Sequence, residues 1–352
     1  MPDYPMDILA AASQCRRILF DPIPPLCYNI AQHEEWVKKD MLDLSIIIVN
    51  YRTPDLLRDC LNSVYASVGT FSFQVYVVDN CSQDNSCQMV ELEFPQVQLI
   101  ASEVNGGYSY ANNLALRALG FANPGQETAS LDRLPRYVLL LNADTKLPPT
   151  ALSEVIGYMD AHPDTGIVGP RLVRADGSLD KACRRSFPSP MVSFYHMVGL
   201  SRLFPHSKRF ARYNLTYLDP SISTEVDAVN GAFMMLRREA IVQVGLLDEN
   251  FFMYGEDLDW AFRIKQAGWK VFYKADVKVL HYKGASSRHS RKARYEFYRA
   301  MYLFYRKHYA RSMPFFVDWL VVFGIFLAGG LSMAIDVVRG PKPQVTVVEG
   351  VP

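Results

Sequence analysis

From Leu44 onward, short apolar runs alternate with amphipathic helical stretches, which predicts an α/β fold on a mixed, mainly parallel central sheet. Leu44–Asn50 (LSIIIVN) is a continuous apolar run rich in isoleucine, the composition of a strand covered on both faces. A helix pattern follows at once. Thr53 is placed to cap it, Pro54 takes the first position, and Leu56, Leu57, Cys60, Leu61, Val64 and Tyr65 form its apolar stripe. Further strand candidates are Gln74–Val78, Val97–Ile100, Tyr137–Leu141 and Ile167–Val168. Just beyond three of them lie Asp79-Asn80, Asn105-Gly106-Gly107 and Asn142-Ala143-Asp144. Ligands of open α/β sheets sit outside the carboxyl ends of the strands, so these clusters predict one shared site.

The 352 residues are enough for a large core, and 49% hydrophobic with 21% charged residues excludes a disordered chain. Thirty-seven Lys+Arg against 36 Asp+Glu leave a net charge of +1, so no global field favours nucleic acid as a partner. The six cysteines form no CxxC pair and no zinc-ligand spacing, which reads as reduced structural thiols. Residues 1–42, with Pro22, Pro24, Pro25 and one short helical pattern at Ile30–Lys39, read as an N-terminal extension. Met41, directly before the first strand, is a candidate alternative start. No basic segment precedes an apolar one at the N-terminus, so the catalytic part is expected to face the cytoplasm.

Tyr137–Asp144 (YVLLLNAD) is a buried strand that delivers a carboxylate at its end. That placement suits a divalent cation shared with a diphosphate, and equally an ordinary turn. Asp79, also after a strand, can accept from a base imide or a ribose hydroxyl, or close an Asx turn. Glu256, Asp257 and Asp259 crowd the first turn of a helix that runs to about Ala267 and stops at Gly268. Unpaired N–H groups there stabilise anions, as a general base requires; each acid alone also fits a simple first-turn charge. Val277, Val279 and His281 alternate on one strand face, where a histidine is commonly a hydrogen-bonded core residue.

The segments SIIIVNYRTPDLLRDCLNSV, VVDNCSQDNS, NGGYSYANN and LLLNADTKLPP, in this order and spacing, resemble the nucleotide-sugar half of family-2 glycosyltransferases with the GT-A fold. The third fits that family's N-x-G-x-x-x-A-x-N pattern through Asn105, Gly107, Ala111 and Asn113. The resemblance implies that Asp79 contacts the nucleobase and that Asp144, last acid of a DxD-type motif, holds the metal. Tyr51, Asn105, Gly107, Asn113 and Asn142 join them in the nucleotide-sugar site, with Asn142 standing where a full DxD has its first Asp. It implies that Asp257 is the base, with Glu256 and Asp259 as alternatives, and that Gly231, Trp260 and Ser286 lie on the acceptor or diphosphate side. The family pattern His-x-x-G-x-S matches His281, Gly284 and Ser286, which makes His281 a second metal ligand or a diphosphate contact.

The activity implied is inverting transfer from a nucleoside-diphosphate sugar to a glycan or lipid-linked glycan, with Mg²⁺ or Mn²⁺. LLLNADTKLPPTAL, GPRLVRADGSLDKACRR and FFMYGEDLDW are most similar to a bacterial rhamnosyltransferase-like branch that uses dTDP-rhamnose for cell-surface polysaccharide. A UDP-sugar donor, or an inactive glycan-binding membrane scaffold of the same fold, are the alternatives. A dinucleotide-dependent oxidoreductase is disfavoured because no G-x-G-x-x-G follows the first strand.

The glycosyltransferase domain is placed at 43–287, a basic aromatic helix at 288–312, an apolar segment at 313–338 and a tail at 339–352. Between Gly284 and Ser312 eight Arg/Lys face one acid, Glu296, while Tyr295, Tyr298, Tyr302, Tyr305 and Tyr309 recur at helical steps. This predicts a helix at an anionic membrane surface, or a tyrosine stripe packed on the catalytic domain. Trp319–Ile335 is an apolar run of 17 residues, ~25 Å as a helix against a ~30 Å hydrocarbon core. The chain is therefore expected at the cytoplasmic face of the inner membrane, peripheral or with one C-terminal helix.

Overall fold

The computed structural model describes residues 42–282 and 291–339. Among them nine strands form one sheet: β1 (Leu44–Asn50), β2 (Phe73–Asp79), β3 (Gln98–Ala101), β4 (Tyr137–Asn142), β5 (Thr145–Lys146), β6 (Thr165–Val173), β7 (Thr224–Glu225), β8 (Phe233–Arg237) and β9 (Lys270–His281). The helices are α1 (Pro54–Tyr65), α2 (Ser86–Glu93), α3 (Gly107–Ala118), α4 (Ala151–Ala161), α5 (Pro190–Met197), α6 (Leu200–Leu203), α7 (Arg238–Val244), α8 (Glu256–Gln266), α9 (Arg291–His308) and α10 (Phe315–Arg339).

The strand order is β3-β2-β1-β4-β8-β6-β9-β5, with β7 on β9. β1 runs parallel to β2 and β4 in a register that sets Asn50 beside Asp79 and Val49 beside Asn142. Three strand ends therefore open at one level. β8 enters the centre antiparallel to β4 and β6, and β6 runs parallel to β9. The long pairings are the parallel ones.

The β1 side chains Leu44, Ile46, Ile47 and Ile48 are fully buried, as its unbroken apolar run requires. β8 was not anticipated as a strand; Phe233 to Leu236 are fully buried, and a short apolar run leading into a helix carries no period of its own. β6 is longer than Ile167–Val168 because Gly169, Pro170 and Arg171 continue it after the apolar pair. Thr53 sits at the α1 N-terminus but does not cap it: its hydroxyl donates to Asn50 Oδ1 at 2.8 Å. The fully buried apolar face of α1 is Leu57, Cys60, Leu61 and Val64, with Leu56 and Tyr65 half-buried.

α9 docks through Ala293, Glu296, Ala300, Phe304 and Tyr305. The tyrosine stripe is divided: Tyr309 packs on the catalytic domain, its ring 5.9 Å from Phe262 of α8, while its middle meets α10. Tyr298 packs against Gly329 and the Tyr302 ring lies 5.8 Å from Phe326, so this part turns toward α10. α10 exceeds the 17-residue run: its 25 residues span about 37 Å, and Phe315–Ala334 is long and apolar enough to cross a membrane. Asp318, near its start, pairs with Arg306 at 3.0 Å.

An ion cluster ties α9 to α8. Fully buried Asp259 takes Arg263 Nε at 2.9 Å, His308 Nε2 at 2.7 Å and Lys307 Nζ at 2.8 Å. Burial opposes its ionisation, but His308, Arg263 and Lys307 outweigh that and hold the carboxyl at about 2.

The folded value lies below the ordinary 3.8, so the contribution is complete above pH 4 and is lost as pH falls through 2. Over that window the wild-type chain should lose about 2 kcal/mol of unfolding free energy that Asp259→Asn lacks from the start. Equal acid slopes for both proteins in denaturant titrations would contradict the assignment. Gly107 has φ +89, and a Cβ there would lie 2.2 Å from the Phe252 carbonyl oxygen. Gly107→Ala should therefore cost about 2 kcal/mol or more in the same assay.

Candidate active site

At the β1 and β2 ends, Asn50 Nδ2 donates to Asp79 Oδ1 at 2.9 Å and to Ser82 Oγ at 3.2 Å. The Ser82 amide donates to Asp79 Oδ2 at 2.9 Å, and its hydroxyl to Oδ1. Asp79 thus closes the turn that joins the ends of β1 and β2. Arg52, Cys81 and Gln83 have φ of 58, 64 and 57, a cluster of left-handed non-glycine residues of the kind found at ligand sites. Tyr51, half-buried after β1, lies beneath the Arg52 guanidinium, 5.2 Å from its ring centre.

Asn80 Nδ2 donates to Asn105 Oδ1 at 3.0 Å, while the Gly106 amide donates to Asn80 Oδ1 and the Gly107 amide to Asn105 Oδ1. These amides fold the turn that starts α3. The Tyr108 amide then donates to Phe252 O at 2.7 Å, bringing α3 against the segment before α8.

At the β4 end, Thr145 Oγ1 donates to Asn142 O at 2.8 Å. The β5–β9 pairing sets Thr145 opposite His281, which brings the imidazole to Asp144. Nε2 lies 3.3 Å from Asp144 Oδ1 and Nδ1 lies 3.1 Å from Asp180 Oδ2. Burial alone would push the His281 pKa down, but the two carboxylates raise it to about 9. Carboxylate oxygen plus an imidazole whose other nitrogen is backed by a carboxylate is a donor set that fits a divalent cation. No group of three or more His, Cys, Asp and Glu poised for a metal occurs among the described residues, so further donors would come from the diphosphate or water.

On the other wall, Asp257 Oδ2 accepts from Arg185 Nη2 at 2.5 Å and from the Gly231 amide at 3.1 Å; Oδ1 accepts from the Leu258 amide at 2.8 Å. Arg185 also donates to Val229 O at 2.8 Å, and its nearness to Asp257 raises its own pKa despite burial. Glu256 Oε2 is buried with no hydrogen-bond partner among the described residues. Burial, then the Asp257 charge, raise the Glu256 pKa well above the carboxylate range. Of these adjacent acids, Asp257 is ion-paired and Glu256 favours its neutral form.

Tyr108 joins the two walls. Its hydroxyl donates to Gly231 O at 2.9 Å, and its ionisation is opposed by burial, then by Glu256, Asp257 and Asp144.

Three expected site residues lie elsewhere. Asp259 is fully buried in the α8–α9 ion cluster, and Trp260 is fully buried with Nε1 donating to Gly245 O at 2.9 Å. The Asn113 amide group donates to Leu247 O at 2.9 Å and Glu249 Oε1 at 2.8 Å, about 9 Å along α3 from Gly107. Each is occupied in packing, so none faces the crevice. Ser286 lies outside the described residues. Asp180, Arg185 and Tyr108 were not singled out from the sequence. The first two lie within GPRLVRADGSLDKACRR and the third within NGGYSYANN, but nothing in the spacing marks them.

The sequence profile described as glycosyltransferase like family 2 matches residues 43–299. The N-acetylglucosaminyl-diphospho-decaprenol L-rhamnosyltransferase of Mycobacterium tuberculosis (strain H37Rv) is 31% identical over 214 residues, 60% of this chain and 67% of the relative. A low-salt glycan biosynthesis hexosyltransferase of Haloferax volcanii is 28% identical over 284 residues, 80% of this chain and 79% of that one. Rhamnosyltransferase WbbL of Escherichia coli (strain K12) is 25% identical over 243 residues, 67% and 82%. Among solved structures, GalNAc-T7 with UDP, GalNAc and Mn²⁺ matches with a TM-score of 0.50 at 14% identity; the alignment covers 86% of this chain and 58% of that one. That likeness concerns the fold. With a family profile covering most of the chain and glycosyltransferases among its relatives, the chain belongs to glycosyltransferase family 2 and is a transferase of the GT-A-like α/β fold.

Proposed function

We propose that this chain is an inverting glycosyltransferase that moves rhamnose from dTDP-rhamnose to a hydroxyl of a glycan or lipid-linked glycan during cell-surface polysaccharide synthesis. The observation that carries this reading is the gathering of Asp144–His281 and Asp257 around Tyr108. The choice of sugar rests on the similarity to two rhamnosyltransferases, and the lipid-linked acceptor on the diphospho-decaprenol named for one of them.

In this reading Asp79, Tyr51, Asn105 and Gly107 frame the nucleoside, and Asn142 and Asp144 face the diphosphate. Mg²⁺ or Mn²⁺ held by Asp144 and His281 would neutralise charge on the departing diphosphate. Asp180 orients His281 from behind. Asp257 takes the acceptor proton. Arg185 and the Gly231 amide fix its Oδ2, and the carboxylate keeps lone pairs for a hydroxyl. One base and direct displacement on the face opposite the leaving group invert the anomeric carbon, as in inverting glycosidases with an alcohol in place of water. α10 holds the enzyme at the cytoplasmic face of the cell membrane, where a lipid-linked acceptor is presented.

Asp257→Asn should lower kcat by roughly 10²–10⁴ with nucleotide affinity unchanged, because only proton transfer is removed. An equal loss of nucleotide binding would remove Asp257 from the base role. Chelation should stop turnover and added Mn²⁺ restore it, with His281→Ala needing about tenfold more metal. Full turnover in excess chelator would overturn the metal assignment.

A further inference from the structure

The segment between the two halves of the site carries a surface that donor binding and chemistry leave unused. From residue 181 to 218 there are seven Lys/Arg and no Asp or Glu, in a chain whose net charge is only +1. Arg184 and Arg185 are buried, whereas Lys181, Arg202, Lys208, Arg209 and Arg212 are exposed. The large apolar side chains beside them are also exposed. Met191 and Phe194 of α5 and Val198 at its C-terminal cap follow at three- and four-residue steps on one side, 53–55% exposed. Leu203 and Phe204, just beyond, are 69% and 46% exposed. Val192 and Tyr195 are the side chains that α5 buries. The outward stripe of this helix is therefore apolar, the reverse of a solvated face.

The hairpin is built rather than frayed. Tyr195 stacks edge-on with Phe210 at 5.0 Å and takes a hydrogen bond from Arg209 Nε at 3.2 Å; Thr216 Oγ1 donates to Pro205 O at 2.7 Å. At its base Arg184 donates to Leu218 O and Asp219 O, and the Ser186 amide donates to Tyr213 O. The next residue toward the site is Arg185, which holds Asp257.

We propose that the α5–α6 hairpin is a second membrane contact, its apolar tips dipping into the headgroup boundary of an anionic bilayer and its basic rim pairing with lipid phosphates. Apolar side chains interspersed with cations, with no acid between residues 181 and 218, suit that interface, where each Lys or Arg near the surface adds roughly fivefold to partitioning. Charge complementarity selects an anionic lipid surface, and the same chain carries an apolar helix long enough to span one. Because the hairpin base adjoins Arg185, the contact sets the acceptor wall of the crevice beside the membrane. The inference goes beyond the donor assignment and survives if the sugar proves to be another.

The full chain carrying Trp319→Phe and Leu203→Trp is mixed with vesicles of brominated phosphatidylcholine, with or without phosphatidylglycerol. The introduced indole should be quenched at least about fivefold more in the anionic vesicles. Adding Arg202→Glu, Lys208→Glu and Arg212→Glu should abolish that quenching while the chain still floats with the vesicles through α10. Hydrogen exchange of residues 191–209 in the unsubstituted chain, slowed by anionic vesicles alone, provides the same readout without substitutions. Equal emission and exchange with and without anionic lipid would overturn the proposal. So would protection that rises with protein concentration in the absence of lipid, which would assign the face to a second copy, or protection by RNA.

Discussion

The wall of the site that carries Asp257 depends on one buried ion pair. Arg185 and Asp257 come from segments 72 residues apart, and their 2.5 Å contact also gathers Val229 O and the Gly231 amide. A buried pair contributes only when its remaining hydrogen-bonding groups are satisfied, and breaking it leaves an isolated charge at a cost of about 3–5 kcal/mol. Here the carboxylate gains two backbone donors and the guanidinium the Val229 carbonyl, joining α8, the lead-in to β8 and the hairpin base, although Arg185 Nε finds no partner among the described residues. Glu256 beside them is driven toward its neutral form by burial and then by the Asp257 charge, against the pull of Arg185.

The wall that carries Asp144 uses the complementary device, a histidine between two carboxylates. His281 reaches Asp144 only because β5, two residues long, turns back from β4 to pair with the end of β9. A parallel sheet alone would carry Asp144 to the crevice edge without a partner. The antiparallel strands of the second half thus complete a site that the parallel half begins, and Tyr108 spans the gap to Gly231.

Local signals made the parallel half legible. An unbroken apolar β1 and polar clusters at strand ends pointed to the crevice, and the α8 bounds followed from its acids and Gly268. Asp259 shows the limit: three acids in one helical turn look equivalent along the chain, yet helix geometry sends Asp257 to the crevice and Asp259 into the α9 interface. Trp260 and Asn113 were misplaced for a similar reason, since their partners Gly245 and Leu247 are set by tertiary packing. β8 and Arg185 left no periodic trace, one being short and the other a single charge whose partner is remote in sequence.

The most direct test is calorimetric titration of the full chain with dTDP and UDP, each with and without Mn²⁺, comparing the wild type with Asp144→Ala. If Asp144 holds the metal that binds the diphosphate, dTDP binds in the presence of Mn²⁺ and at least about tenfold more weakly when the metal or the Asp144 carboxylate is removed. A folded chain that binds neither nucleotide under any metal condition would contradict it.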